Sequence, residues 1–304
     1  MSNNPAMKGV LSPVVTPFDA NLAPDAGRLV KHCKWLIDNN VGLAVFGTNS
    51  EANSMSTREK LRLLDALAES GLPTERMMPG TGACALDDSV ELTKRAVELG
   101  CGGVLMLPPF YYKGVPEEGL YRNFSEIIQR VGDDRLRIYL YHIPPVAQVG
   151  IPLGLIERLL KDYPGIVAGA KDSSGDWSNT KAMIDNFAAQ GFDVYPGSES
   201  FLLQAMRAGG AGCISATANV NPGPIAKLAA TWQGDDADAQ QEGLNVTRGI
   251  FQTYVMIPAL KAAIAHYGRD PEWNRLRPPL VELTADEQKD LVAKLDASGF
   301  TMPG

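Results

Sequence analysis

Short apolar runs alternate along the chain with longer segments whose apolar positions follow a helical period. The runs begin near Gly9, Val41, Met77, Gly103, Arg137, Ile166, Phe192 and Gly212. A short apolar run bounded by turn residues predicts a buried strand. The mean spacing of these starts is about 29 residues, the length of one strand–helix unit. Alternating units of this kind imply a parallel sheet. Eight of them fit a closed (β/α)8 TIM barrel, of class α/β, better than an open sheet.

The intervening helices are also legible. Leu120, Phe124, Ile127, Ile128 and Val131 make one apolar stripe, and Leu29, Cys33, Leu36 and Ile37 make another. Ser56-Thr57-Arg58-Glu59 is a capping box that opens a helix ending near Gly71, and Thr284-Ala285-Asp286-Glu287 is a second box. Ile225, Leu228, Ala229 and Trp232 set out the helix that follows the eighth strand. About 70 residues then remain, more than a barrel needs. They predict a C-terminal helical extension, with Pro258 kinking or dividing one of its helices. The expected organisation is a barrel core over residues 1–224. Residues 225–304 form the eighth barrel helix and the extension, in one domain overall.

Composition narrows the picture without changing it. The chain has 304 residues, 45% of them hydrophobic, enough for one large core. The net charge of −7 is spread out and gives no basic footprint for nucleic acid. No apolar stretch is long enough to span a membrane, and Met1 to Lys8 lack an apolar signal region. Cys33, Cys84, Cys101 and Cys213 have no C-x-x-C spacing and read as reduced, buried thiols of a cytoplasmic protein. His32, His142 and His266 stand too far apart in sequence to suggest a zinc site.

Lys171 carries the chemistry. It closes the run Ile166-Val167-Ala168-Gly169-Ala170 and precedes Asp172-Ser173-Ser174-Gly175. Burial disfavours a charged ammonium, and a neutral amine attacks carbonyl carbon to form a Schiff base. Taken alone, a strand-end lysine reaching to solvent is the simpler reading. Catalytic groups of a barrel lie at the carboxyl ends of its strands, however, and that rule brings other groups to the same place. Those ends are Gly47-Thr48-Asn49-Ser50-Glu51, Pro108-Pro109-Phe110-Tyr111-Tyr112, Tyr141-His142-Ile143-Pro144, Pro196-Gly197-Ser198-Glu199 and Ile214-Ser215-Ala216. An iminium mechanism needs an amine, a phenol that moves protons and donors for a carboxylate. Plainer roles compete: Tyr141 as a core tyrosine, Thr48 as a turn cap, Glu51 as a loop anchor, His142 as a packing residue. Gly80-Thr81-Gly82-Ala83-Cys84-Ala85 matches a dinucleotide fingerprint only superficially, because the register places it after the third strand.

The chain resembles the dihydrodipicolinate synthase / N-acetylneuraminate lyase family of Schiff-base-forming class I aldolases. The resemblance rests on seven motifs in order. They are Val15-Thr16-Pro17-Phe18, Gly47-Thr48-x-x-Glu51, Gly80-Thr81-Gly82-Ala83, Pro109-Phe110-Tyr111-Tyr112, Tyr141-x-Ile143-Pro144, Gly169 to Gly175, and Gly212 to Asn219. It implies that Lys171 forms the Schiff base with pyruvate or another 2-keto acid and that Tyr141 is the general acid/base. It implies that Thr48 relays protons and, with the Asn49 amide, holds the keto-acid carboxylate. Tyr112, more than Tyr111, would complete the relay, often in a neighbouring subunit. A homo-oligomer built as a dimer of dimers is implied, with no metal or organic cofactor.

The departures from the family pattern bear on the substrate. Dihydrodipicolinate synthases carry an arginine where this chain has Val146, and a valine cannot hold the aldehyde's carboxylate. An unpaired carboxylate costs about 1.5–3 kcal/mol. Asn49 and Ser50 replace the usual Thr and Gly, which alters the carboxylate pocket, and His142 replaces the usual Asn. The Ser198-Glu199 pair resembles the position where sugar-acid lyases hold substrate hydroxyls, and Asn49, Ser50, Tyr111, Val146, Gly197 and Ser215 are the other residues expected to bind substrate. The leading expectation is a lyase or aldolase acting on a 2-keto acid. Alternatives are a 2-keto-3-deoxy sugar acid dehydratase, 4-hydroxy-tetrahydrodipicolinate synthase itself, and a non-catalytic keto-acid sensor. A barrel isomerase of sugar phosphates is disfavoured, because Gly209-Gly210 precede the eighth strand instead of following it.

Overall fold

The computed structural model describes residues 7–302. Its strands are Gly9–Ser12 (β1), Gly42–Leu43 (β2), Val104–Met106 (β3), Ile138–His142 (β4), Val167–Asp172 (β5), Asp193–Pro196 (β6) and Gly212–Ile214 (β7). The helices are Ala26–Asp38 (α1), Thr57–Glu69 (α2), Leu86–Glu98 (α3), Glu117–Val131 (α4), Pro144–Ala147 (α5) and Leu153–Asp162 (α6). They continue with Trp177–Phe187 (α7), Leu202–Ala208 (α8), Pro222–Thr231 (α9), Ala237–Gln252 (α10), Met256–Tyr267 (α11) and Ala285–Ala297 (α12). The described residues form two compact units, one of residues 7–9 with Pro73–Ile214, the other of Val10–Leu72 with 215–302.

In the first unit β3, β4, β5 and β6 pair in parallel and in sequence order. All five residues of β4 are buried, the continuous apolar pattern of a strand covered on both faces. Tyr139 explains two of the glycines beside it. A Cβ at Gly103 would come within 2.5 Å of the Tyr139 ring, and one at Gly169 within 2.7 Å. The ring is thereby free to meet Tyr195 edge to face at 5.9 Å. The register sets Tyr141 beside Lys171 and His142 beside Asp172. It also sets Lys171 beside Tyr195.

The strand expected at Met77 is reduced to isolated bridge positions at Met77 and Gly80, the latter parallel to Leu105. The Leu105 amide donates to the Pro79 carbonyl, and the Thr81 amide donates to the Leu105 carbonyl. Pro79 has no N–H of its own, so a regular ladder cannot extend through it. The other starts expected from sequence fall within a residue of the observed ones. On α4 the expected stripe of Leu120, Phe124, Ile127, Ile128 and Val131 is buried throughout.

In the second unit β1 and β2 pair through Leu11 with Gly42 and Ser12 with Leu43. Both capping boxes are present: Ser56 with Glu59 opens α2, and Thr284 with Glu287 opens α12. On α1, Leu29, Cys33 and Leu36 are buried, but Ile37 is only half-buried and His32 takes a buried place instead. The core of this unit gathers Phe251, Leu260, Ile264, Trp273, Leu291 and Leu295 from α10, α11, α12 and the turn between the last two. Pro258 does not kink a helix. It stands in the first turn of α11, where an amide has no helical partner to lose, and the break between α10 and α11 lies just before it.

Candidate active site

Lys171 is the penultimate residue of β5, one position earlier than the strand end expected from sequence. Its side chain is 3% exposed. The Nζ lies 3.2 Å from the Tyr141 hydroxyl, as donor to it, and 4.4 Å from the centre of the same ring. Tyr141 is itself 3% exposed. An amine and a phenol on neighbouring parallel strands, closed off from bulk solvent, can form an imine and pass protons at the adjacent carbon.

The turn after Lys171 is held by Asp172. Its buried carboxylate accepts from the Ser174 amide, Asn179 Nδ2 and Thr180 Oγ1, at 2.9, 2.9 and 2.7 Å. The Ser173 amide donates to the His142 carbonyl and the Gly197 amide to the Asp172 carbonyl, both at 2.7 Å. These bonds tie the ends of β4, β5 and β6 together, so Lys171 is presented from a rigid floor. Gly197 is required by packing, since a Cβ there would lie 2.1 Å from Ser173 Oγ. Ser198 accepts from the Ser200 amide at 3.2 Å, and Glu199 is 1% exposed. His142 Nδ1 accepts from the Ile151 amide at 2.9 Å. Burial lowers its pKa from the ordinary histidine value, opposed by the nearby Asp172 carboxylate.

On the same unit Tyr111 and Tyr112 are exposed and meet edge to face at 5.3 Å. Val146, near the end of α5, is exposed as well. Lys113 joins their two segments, its Nζ donating to the carbonyls of Phe110 and Ala147. Sequence reasoning missed Lys113, and no periodic or motif signal marks it. The Gly80-Thr81-Gly82 motif is packing: a Cβ at Gly82 would lie 2.2 Å from the Leu107 nitrogen, and Thr93 Oγ1 donates to Thr81 Oγ1 at 2.9 Å.

The second unit holds the Gly47–Glu51 turn. The Ser50 amide donates to the Gly47 carbonyl, and the Ser50 hydroxyl accepts from the Gly47 amide. Thr16 Oγ1 donates to the Ser50 carbonyl at 2.8 Å. Ser50 is fully buried, while Thr48 and Asn49 are partly open. Glu51 takes a left-handed φ of 56°. Its carboxylate accepts from Lys261 Nζ at 2.5 Å and from the Arg277 amide at 2.9 Å, which makes it an anchor of the loop. Ser215, in the same unit, is fully buried and accepts from Arg248 at 3.3 Å.

The cysteines are all free, but only Cys33 and Cys213 are buried. Cys101 is half-buried and Cys84 is exposed. Cys84 lies two residues after Gly82, in the turn that precedes α3, where the apolar run has ended. Among the described residues no group of His, Cys, Asp and Glu could hold a metal ion, and no helix is long and apolar enough to cross a membrane.

Residues 6–298 match the model of the Dihydrodipicolinate synthetase family. The chain is 34% identical over 288 residues to an uncharacterized DapA-like lyase of Chloroflexus aurantiacus, covering 92% of this chain and 93% of that one. It is 32% identical to the 4-hydroxy-tetrahydrodipicolinate synthase of Methanococcoides burtonii, covering 96% and 98%. The crystal structure of dihydrodipicolinate synthase from Agrobacterium tumefaciens superposes with a TM-score of 0.88 at 27% identity, covering 95% of this chain and 98% of that one. The fold is thus the TIM barrel of class α/β expected from the spacing of the strands.

Proposed function

The chain belongs to the dihydrodipicolinate synthetase family of lyases and aldolases, and from that premise we propose that it cleaves or condenses a 2-keto acid through an iminium on Lys171. The observation that carries the proposal is the 3.2 Å approach of Lys171 Nζ to the Tyr141 hydroxyl, both groups buried. The amine adds to the keto carbon, water leaves, and a protonated imine results. Cleavage of the carbon–carbon bond beta to the imine sends its electron pair toward nitrogen as an enamine and frees an aldehyde. Tyr141 takes the proton from the departing hydroxyl and returns one to the enamine carbon, and water then adds to the imine carbon, breaking the C–N bond to release the shortened keto acid and the Lys171 amine. Condensation is the same sequence reversed.

The proposal carries from the family resemblance the roles of Thr48 and Asn49 toward the keto-acid carboxylate. It also carries the roles of Tyr112 and Tyr111 in a proton relay completed in a cytoplasmic homo-oligomer. Ser198 and Glu199 are proposed to face the distal group. That group is not the carboxylate of the dihydrodipicolinate precursor, because Val146 offers it no donor and stands in the open. No cofactor enters the mechanism.

The test is borohydride reduction with pyruvate, followed by peptide mass spectrometry. A pyruvyl adduct on Lys171, absent in Lys171→Arg, is the expected result. Intact protein without adduct, with pyruvate and with longer 2-keto acids, overturns the reading. Efficient turnover of pyruvate with aspartate semialdehyde would overturn the exclusion drawn from Val146.

A further inference from the structure

The segment Ile143–Ile151 leaves the carboxyl end of β4 two residues after Tyr141. Ligands of parallel α/β proteins bind outside the carboxyl ends of the strands. This segment therefore borders the volume in front of Lys171. It contains the single-turn helix α5, a left-handed residue at Gln148 (φ 54°) and the exposed Val146. Its backbone bonds, from the Val146 and Ala147 amides to the Ile143 carbonyl and from the Gln148 amide to the Pro144 carbonyl, close that one turn on itself and do not tie the segment to its neighbours. Two side chains tie it to the rest of the unit. Lys113 holds its middle through the Ala147 carbonyl at 2.7 Å. His142 holds its far end, accepting the Ile151 amide on Nδ1 at 2.9 Å.

We infer that His142 is a positioning residue that fixes the Ile143–Ile151 segment, and with it the wall of the pocket that receives the distal group of the keto acid. The inference rests on the keto-acid reading above. His142 occupies the position next to Tyr141 and pairs in register with Asp172, so its backbone belongs to the catalytic floor while its ring reaches the loop. It is 8% exposed, and a Cβ at Gly150 would stand 3.3 Å from its Cε1. The Cε1–Nδ1 edge of the ring thus meets the returning chain at Gly150 and accepts the next amide. An acceptor at Nδ1 requires a neutral ring protonated on Nε2. What the loop needs from this side chain is an acceptor at one point, more than a ring.

The experiment separates acceptor from ring. His142→Phe keeps the ring and removes the acceptor, and His142→Leu is a second variant without one. His142→Asn removes the ring and keeps an oxygen near the Nδ1 position. The probes are pyruvate, which has no distal group, and 2-oxohexanoate, which shares the reacting part and extends beyond it. Each is trapped on Lys171 with borohydride over a range of concentrations. The ratio of the two half-saturating concentrations should shift about tenfold in the acceptor-free variants, the weight of one lost hydrogen bond. It should return toward the wild-type value in His142→Asn. Hydrogen exchange of the peptide spanning residues 143–151 should lose protection in the same variants and keep it in His142→Asn. An unchanged ratio overturns the inference, and so does pyruvate trapping by wild type with no trapping of 2-oxohexanoate by any form. So does a ratio that shifts in His142→Asn and not in His142→Phe. If wild-type protein traps neither acid on Lys171, the keto-acid reading fails. Exchange of the 143–151 peptide then decides the hold of His142 on its own.

Discussion

Lys171 and Lys261 are both closed off from solvent, at 3% and 0% exposure, yet their surroundings differ in kind. Lys261 meets a carboxylate. Its Nζ stands 2.5 Å from Glu51 and 2.6 Å from the Arg275 carbonyl, with the Phe18 ring 4.5 Å away. Burial pulls its pKa below the ordinary lysine value while Glu51 pulls it up. Such a group has its protons spoken for by fixed acceptors. Lys171 meets a phenol, which asks for no permanent charge and can itself give or take a proton. Burial alone does not make a lysine a nucleophile; the partner decides. A buried carboxylate makes an anchor, and a phenol leaves an amine that can react.

The largest expected effect is on Lys171. Lys171→Ala should lose both turnover and the borohydride adduct while leaving the urea unfolding midpoint close to that of wild type. An unfolding midpoint that collapses would place Lys171 with Lys261 as a structural lysine and erase the contrast. Next comes Tyr141→Phe, which keeps the ring against Lys171 and removes the proton. Steady-state kinetics should show kcat/KM lower by about 10²–10⁴, the usual worth of a general acid/base. Turnover within a factor of two or so of wild type would mean the phenol only packs.

Lys261→Ala should act on stability instead. It leaves the Glu51 carboxylate buried without its cation, and breaking a buried pair from one side costs about 3–5 kcal/mol. Chemical denaturation measures this directly. A loss below about 1 kcal/mol would mean that the pair is as weak as an exposed one.

How far these features could be read beforehand follows from the same contrast. The meeting of Lys171 and Tyr141 was legible because each stands near the end of a short apolar run, and strand ends are where a barrel brings its side chains together. Glu51 was legible as an anchor but its partner was not, since Lys261 lies far along the chain. A signal did exist: Lys261 is a lone charge inside the otherwise apolar Met256-Ile257-Pro258-Ala259-Leu260 to Ala265 stretch of α11. A charge in such a helix demands a buried partner. The missing ladder at Met77 was signalled as well, by Pro79, whose lack of an N–H outweighs the apolar pattern around it. The hold of His142 on Ile151 was not legible. It depends on which ring nitrogen faces a returning loop, and no periodicity encodes that.

The smallest expected effect concerns pH, and it follows from the carboxylates around Lys261. Arg277 donates its backbone amide to Glu51 and its guanidinium to Glu59, at 2.9 and 2.6 Å. The same guanidinium reaches the Ser54 carbonyl at 2.8 Å, so it closes the loop that Glu51 anchors. The Arg277 guanidinium holds the Glu59 pKa at about 2, below its ordinary 4.5. A carboxylate whose pKa is depressed on folding binds its proton more readily in the unfolded chain. Its stabilisation is therefore present above pH 4.5 and is lost as the pH falls through about 2. Glu59 is a quarter exposed in its side chain, and solvent screening reduces the contribution to about 1 kcal/mol. Glu59→Gln should flatten the acid limb of the unfolding free energy between those two pH values by that amount and leave the neutral limb parallel to wild type. Lys171 stands against the Tyr141 phenol instead. Acid weakening that survives Glu59→Gln in full would place its source elsewhere, and the contrast between a carboxylate-anchored lysine and a phenol-paired one would then rest on Glu51 alone.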